Sequence, residues 1–194
     1  NQPMITRWNL ARFAECLIPL IDANQDKSIE LATEIINSFE KKYEDKWTEM
    51  MRYKLGLSFF DEKDKSLIID LLTWMHQKKA DYTNTFCYLM SGEIQNDKIY
   101  KDSEFKIWKK RWEERLKKES NAKEKYINLM KKNNPIVIPR NHKVEEALSA
   151  AEENNLEPFI RLLGILEEPY SSKKDIKDYQ TSSKSEEYRT FCGT

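Results

Sequence analysis

Three features of the sequence predict an all-α fold. Glycine and proline are scarce, at four and six residues in 194, whereas all-β folds need frequent turn residues. Charged residues make up 34% of the chain and balance, with 33 Lys and Arg against 33 Asp and Glu, a composition that suits solvated helix faces. Apolar residues recur at helical spacing along most of the length. The expected architecture is an irregular bundle of about eight helices over residues 1–169, followed by a polar, mobile tail over 170–194.

Leu10, Phe13, Ala14, Leu17, Ile18 and Ile21 form the stripe of a first helix, expected in the core and kinked at Pro19. From Ser28, read as an N-cap, the face Ile35, Ile36, Phe39, Tyr43, Trp47, Met50, Met51 and Leu55 runs on to Gly56. It predicts one helix approaching about 40 Å. Asp64 is the expected cap of a third helix, with Leu67, Ile68, Leu71, Leu72 and Met75 facing inward and His76, Lys78 and Lys79 near its negative end. Tyr82, Phe86, Leu89 and Met90 predict a short fourth helix that stops at Ser91-Gly92, before a loop over 93–102.

Ser103 is the expected cap of a helix carrying Phe105, Trp108, Trp112 and Leu116, and another helix with Tyr126, Leu129 and Met130 stops at Asn133-Asn134-Pro135. Ile136-Val137-Ile138, with prolines on both sides, reads as an extended connector packed on the bundle. Val144, Ala147, Leu148 and Ala151 make the next stripe, and Pro158 opens a helix through Phe159, Leu162, Leu163 and Leu166 that Pro169 closes. From 171 to 189 Ser, Lys, Asp and Glu dominate, so the segment is expected to move unless docked on a partner.

The charge balance favours neither nucleic acid nor an anionic membrane as a partner. The longest apolar run, 16–21, is far too short to span a bilayer. Asn1 stands where an initiator Met is missing, which raises the expectation of a segment cut from a longer polypeptide. Cys16, Cys87 and Cys192 are odd in number and widely spaced, so no disulfide framework or zinc motif is read, and a reducing compartment, the cytoplasm, is expected. His76 and His142, the two histidines, fit helix-terminal charges better than metal ligands.

Cys16 and Cys87 lie in apolar helical patterns, where cysteine acts as a small hydrophobe. Cys192, close to the end, is either an unpaired side chain on a frayed terminus or a redox thiol whose partner lies outside this chain. Arg140-Asn141-His142 sits at a connector-to-helix junction, where exposed amides suit an anion. The plainer reading, which we prefer, has Asn141 capping the helix and Arg140 bridging to an acidic neighbour. Trp108 and Trp112 among Lys109, Lys110, Arg111 and Arg115 suit a membrane surface or single-stranded nucleic acid, but also a buried stripe flanked by lysine stems. No G-x-S-x-G, glycine-rich phosphate loop, His-Glu-x-x-His or His-Arg-Asp pattern occurs.

Taken in order, Asn1-Gln2-Pro3, Trp8-Asn9-Leu10-Ala11-Arg12, Arg52-Tyr53-Lys54-Leu55-Gly56, Asp81-Tyr82-Thr83 with Thr85-Phe86, Asn134-Pro135, Arg140-Asn141 and the terminal Cys192 resemble the C-terminal portion of the selenoprotein O family, also called YdiU. The resemblance implies a protein-kinase-like core that binds ATP and magnesium in an inverted orientation and transfers AMP to protein Ser, Thr or Tyr hydroxyls. It places the nucleotide-binding, metal-binding and phosphate-clamping residues before Asn1, so this chain is expected to be inactive alone and to carry no catalytic, cofactor or metal residue. Its expected partner is the missing N-terminal kinase-like core, which it would buttress.

For Cys192 the resemblance implies a regulatory disulfide with a cysteine of that core, although Gly193-Thr194 follow it where serines are commoner. Arg140 and Asn141 mark a family motif to which it gives no catalytic role. A mitochondrial address replaces the cytoplasm if the source is eukaryotic. One alternative is a stand-alone, non-catalytic helical module that binds a protein partner through the long second helix or the Trp helix. The other is a surface binder that uses the basic aromatic helix.

Overall fold

A computed structural model describes residues 2–92, 97–119, 123–171 and 176–181. Among them the secondary structure is helical throughout, with no strand. The helices are α1 (Gln2–Ile21), α2 (Gln25–Asn37), α3 (Phe39–Lys54), α4 (Asp64–Lys78), α5 (Tyr82–Ser91), α6 (Ser103–Leu116), α7 (Lys123–Asn133), α8 (Asn141–Glu152), α9 (Glu157–Leu166) and the single turn α10 (Lys177–Gln180), with a 3-10 segment at Asp97–Lys101 before α6. The all-α expectation holds. The chain divides into two compact units, residues 1–50 and 51–194.

In the first unit α1 and α2 pack as a helical hairpin. Its turn is built from polar side chains. Asn24 caps α2 by accepting from the Lys27 amide at 3.2 Å, and the Asp22 carboxylate accepts from the Asn24 amide at 3.0 Å. Ser28 is therefore not the cap: it lies in the first turn, fully buried, with its hydroxyl between the carbonyls of Asp22 and Asn24. Farther along, the Arg7 guanidinium donates to the Asn37 side-chain carbonyl at 3.1 Å.

Two further expectations for this region fail. The α1 stripe does not lie in the core: no residue of α1 is buried, and Phe13 and Leu20 are 61% and 81% exposed. A helix that carries Met4, Ile5, Trp8, Phe13 and Leu20 has more apolar surface than the one helix paired with it can cover. The single long second helix is also two. It breaks at Ser38, whose hydroxyl takes the Ile35 carbonyl at 2.7 Å and whose amide is shared between Glu34 and Ile35, a local alternative to the helix ladder that apolar periodicity does not reveal.

The second unit has its core between α4 and α6. Leu67, Ile68, Leu71, Trp74 and Met75 of α4 are buried, as are Phe105, Trp108, Trp112 and Leu116 of α6. The tryptophans are the predicted buried stripe, and each spends its indole N–H on a backbone carbonyl: Trp108 on Leu67 at 2.8 Å, Trp112 on Leu55 at 2.9 Å. Trp74, Tyr88, Tyr100, Phe105, Trp108 and Trp112 form a continuous aromatic row, with Tyr88 and Tyr100 stacked at 4.1 Å. Gly56 ends α3 with φ +77, and a Cβ there would stand 3.1 Å from the Tyr126 carbonyl oxygen, so glycine is required for both reasons.

The second unit also holds a buried ionic cluster. Arg115 donates from Nε to Asp64 at 2.7 Å, from Nη1 to Glu119 at 2.9 Å and from Nη2 to the Phe59 carbonyl at 2.8 Å. Asp64 is therefore not the cap of α4: the N-cap position is Lys63, which makes no side-chain cap bond, while the Asp64 carboxylate serves Arg115 and the Asp61 amide. Asp102, not Ser103, caps α6, since its carboxylate accepts from the Glu104 and Phe105 amides and from the Trp74 indole. Val137 is buried in the predicted connector, whose Ile136 amide bonds the Pro169 carbonyl at 2.8 Å. The tail expected to move is docked in part, with Ile176 buried ahead of α10; residues 182–194, Cys192 included, lie outside the described residues.

Asp64 and Arg115 make a direct test of this core. Asp64→Ala leaves a buried guanidinium short of its carboxylate and is expected to cost about 3–5 kcal/mol in chemical denaturation. Arg111→Ala removes the exposed pair with Asp70 and is expected to cost at most about 1 kcal/mol. Equal losses from the two variants would contradict the cluster's assignment.

Candidate functional site

Motif residues between Lys54 and Arg140, far apart in sequence, meet in the second unit as two adjoining knots of hydrogen bonds.

The first knot forms where α3 ends. Asn134 is buried and donates its amide N–H groups to the Lys54 carbonyl at 2.9 Å and the Met130 carbonyl at 2.8 Å, which ties the end of α7 to the end of α3. Lys54 answers by donating its ammonium to the Asn133 carbonyl at 3.2 Å while it lies 4.6 Å from the Phe86 ring centre. Burial lowers the pKa of this ammonium. Proline at 135 then prevents α7 from continuing and sends the chain into the connector.

The second knot forms where α5 and α8 begin. Asp81 caps α5 by accepting from the Asn84 amide at 2.8 Å, and its carboxylate takes Arg140 through both terminal nitrogens, at 2.5 and 3.0 Å. Thr85 adds a hydroxyl bond to the Asp81 carbonyl at 2.7 Å. Both ends of the ion pair are mostly buried, at 12% and 19% exposed. Arg140 Nη2 and the Asn84 side chain then converge on the Gln180 carbonyl, at 3.2 and 3.1 Å, and the Gln180 amide returns to the Ile136 carbonyl at 2.8 Å. The single turn α10 is thus held against α5, α8 and the connector.

This arrangement settles the Arg140-Asn141 readings. Arg140 bridges to an acidic neighbour as expected, but Asn141 does not cap α8: Arg140 itself occupies the N-cap position, without a side-chain cap bond, and Asn141 is the first helical residue. The guanidinium spends its terminal nitrogens on Asp81 and the Gln180 carbonyl, which joins the starts of α5 and α8 to α10. Gln180 was not singled out by sequence: its backbone carbonyl, which any residue has, accepts from Arg140 and Asn84, and the bond from its side-chain amide to the Ile136 carbonyl spans 44 positions, beyond any local pattern. Asp81 was named only within the motif; its place directly before a helix is the signal that marks it as a cap.

The other sequence candidates separate clearly. The buried tryptophans offer no ring to a base or a lipid, and Arg111, Arg115 and Lys118 of the basic segment each pair with an acidic residue. A cavity of about 290 Å³ opens beside them between α4 and α6, where Lys118, Arg115 and Arg111 face Asp61, Asp64 and Asp70. Among the described residues no three His, Cys, Asp or Glu side chains gather as a metal site. His76 stands in the last turn of α4, where the helix dipole favours a cation, whereas His142 stands in the first turn of α8, where it does not. No described helix is long and apolar enough to cross a membrane.

The cysteines differ in surroundings. Cys87 is the small buried hydrophobe expected, whereas Cys16 is exposed. Burial, reinforced by the Asp81 charge, pushes the Cys87 thiol up to about 11 from 9.0. At neutral pH a mild alkylating reagent is expected to modify Cys16 well before Cys87, as read by peptide mass spectrometry. Because the unfolded thiol loses its proton first, Cys87 supports the fold fully below pH 9.0, and that support fades as the pH climbs to about 11. The stability difference between wild type and Cys87→Ala should shrink by about 2–3 kcal/mol over that window. A constant difference would contradict the burial argument.

Similarity to known proteins agrees with the motif reading. Residues 1–167 match the family model described as protein adenylyltransferase SelO. A protein of Pelagibacter ubique (strain HTCC1062) named protein nucleotidyltransferase YdiU is 52% identical over 100% of this chain, which covers 41% of that relative. Proteins of the same name from Alcanivorax borkumensis and Clostridium perfringens (strain SM101 / Type A) are 46% and 44% identical over 100% of the chain, which covers 41% and 40% of them. The chain thus spans about two-fifths of the length of the curated relatives it matches. With a family model matched over most of its length and relatives aligned along all of it, the chain belongs to the SelO family, also called YdiU.

Proposed function

We propose that this chain is the helical C-terminal part of a protein adenylyltransferase, and that it serves the longer protein as a scaffold rather than as a catalyst. The observation that carries this reading is the match along the whole chain to relatives more than twice as long, named protein nucleotidyltransferase. In the reaction a protein Ser, Thr or Tyr hydroxyl attacks the α-phosphorus of ATP, pyrophosphate leaves, and the hydroxyl proton passes to a base. Magnesium would accompany the nucleotide. The residues described do not fit that pair, because Arg111, Arg115 and Lys118 beside the cavity, and Arg140, are held by the chain's own carboxylates. No catalytic step is therefore drawn through them.

The exposed apolar side chains of α1, among them Trp8 at 62% and Phe13 at 61%, support a packing partner for the first unit, which we take to be the kinase-like core of the longer protein. Cys192 is proposed as the redox-regulatory thiol, paired with a cysteine of that core. The cytoplasm is the proposed compartment. The same exposed face also favours a second reading, a stand-alone module that binds another protein through α1.

Transfer of α-phosphate label from ATP to protein, with magnesium present, separates the two. The longer polypeptide is expected to transfer label and the 194-residue chain to transfer none. Transfer by neither, under reducing and oxidising conditions alike, would favour the binding module. Transfer by the 194-residue chain would overturn the scaffold assignment.

A further inference from the structure

The last turn of α3 buries two cations, Arg52 at 9% and Lys54 at 8% exposed, and no carboxylate among the described residues pairs with either. Lys54 has a carbonyl and ring faces, and burial favours its neutral form. A guanidinium has no such escape, because it keeps its charge at any pH a protein survives.

Arg52 is left with two buried nitrogens, Nε and Nη1, that meet no hydrogen-bond acceptor among the described residues. Its neighbours are the ring faces of Tyr53 and Phe60, whose centres are 5.9 and 5.8 Å from the guanidinium carbon. That is the outer limit of a cation–π contact and supplies no acceptor. The negative end of α3 offsets part of the charge. The contrast with Arg115 is instructive: that guanidinium is equally buried, and Asp64, Glu119 and the Phe59 carbonyl meet its nitrogens.

We propose that Arg52 is the docking point for a carboxylate carried by a part of the longer protein outside these 194 residues. The inference rests on the reading that this chain works within a longer polypeptide, and the relatives supply the necessary length, since the chain covers only 41% of the first of them. Around Arg52 the surface has the makings of an interface: Phe59 and Phe60 are 43% and 66% exposed beside a desolvated charge. A side-chain carboxylate arriving on a packed segment covers those rings and neutralises the guanidinium together. A free phosphate would neutralise the charge and leave the rings in water.

The test is the sign of one substitution in two settings. In the longer polypeptide, Arg52→Met strands the incoming carboxylate and is expected to lower Tm by several degrees. In the 194-residue chain the same change removes an uncompensated buried charge, so Tm should stay or rise. Equal losses in both settings would overturn the proposal.

A second experiment needs only the longer polypeptide. Arg52→Glu should be rescued by changing one acidic residue outside this chain to Lys or Arg. Failure of every such reversal would also overturn the proposal, as would rescue from an acidic residue within the chain. A rise in wild-type Tm with inorganic phosphate, lost in Arg52→Met, would assign the site to a small anion instead. Label transfer by the wild-type longer polypeptide is scored separately, so loss of the enzymatic reading and loss of the Arg52 docking point are distinguishable.

Discussion

The joining of α5, α8 and α10 in the second unit hangs on one charge pair, Asp81 with Arg140. Asp81 belongs to the start of α5 and Arg140 to the start of α8, 59 residues apart in sequence. Both are asked for more than the pair: Asp81 also caps α5, and Arg140 also holds the Gln180 carbonyl. A mostly buried ion pair is stabilising only when its remaining donors and acceptors are met. Here most of them are, since the carboxylate takes two guanidinium nitrogens and a backbone amide, while Arg140 Nε meets no acceptor among the described residues. The direction of the connector, the entry of α8 and the docking of α10 all depend on the same few atoms.

The unit handles its buried cations in three ways, and each fits a different role. Arg115 is matched by two carboxylates of the same unit and closes the α4–α6 core. Lys54 is matched by a carbonyl and aromatic faces and closes the α3–α7 junction. Among the described residues Arg52 meets aromatic faces, and its Nε and Nη1 find no acceptor. A structure that saturates one buried guanidinium with its own residues and leaves another open has an internal standard for what completion looks like. In the first unit the corresponding open feature is apolar, the uncovered side chains of α1.

Much of this was legible in the sequence, and the failures have physical causes. Helices with one apolar face, such as α4 and α6, were placed to within a residue or two because burial and periodicity coincide there. α1 misled because its stripe is real while the surface that should cover it is not in the first unit. Ser38 misled because a hydroxyl that takes its own helix's carbonyl leaves no trace in an apolar pattern. The capping assignments at Ser28, Asp64, Ser103 and Asn141 each missed by one to four residues. Asp64 was the most instructive of these, because the demand of Arg115 on its carboxylate arrives from 51 positions away and cannot be read locally. The motif residues were visible as a set, but their convergence into two knots is a property of the folded chain.

Hydrogen exchange in wild type and Arg140→Met tests the central role of the Asp81–Arg140 pair most directly. The amides of Tyr179 and Gln180, bonded to the Ile176 carbonyl in α10, and that of Asn84, bonded to the Asp81 carboxylate, are expected to lose protection together in the variant. Loss confined to the first turn of α8, with α10 and the start of α5 as protected as in wild type, would contradict the account.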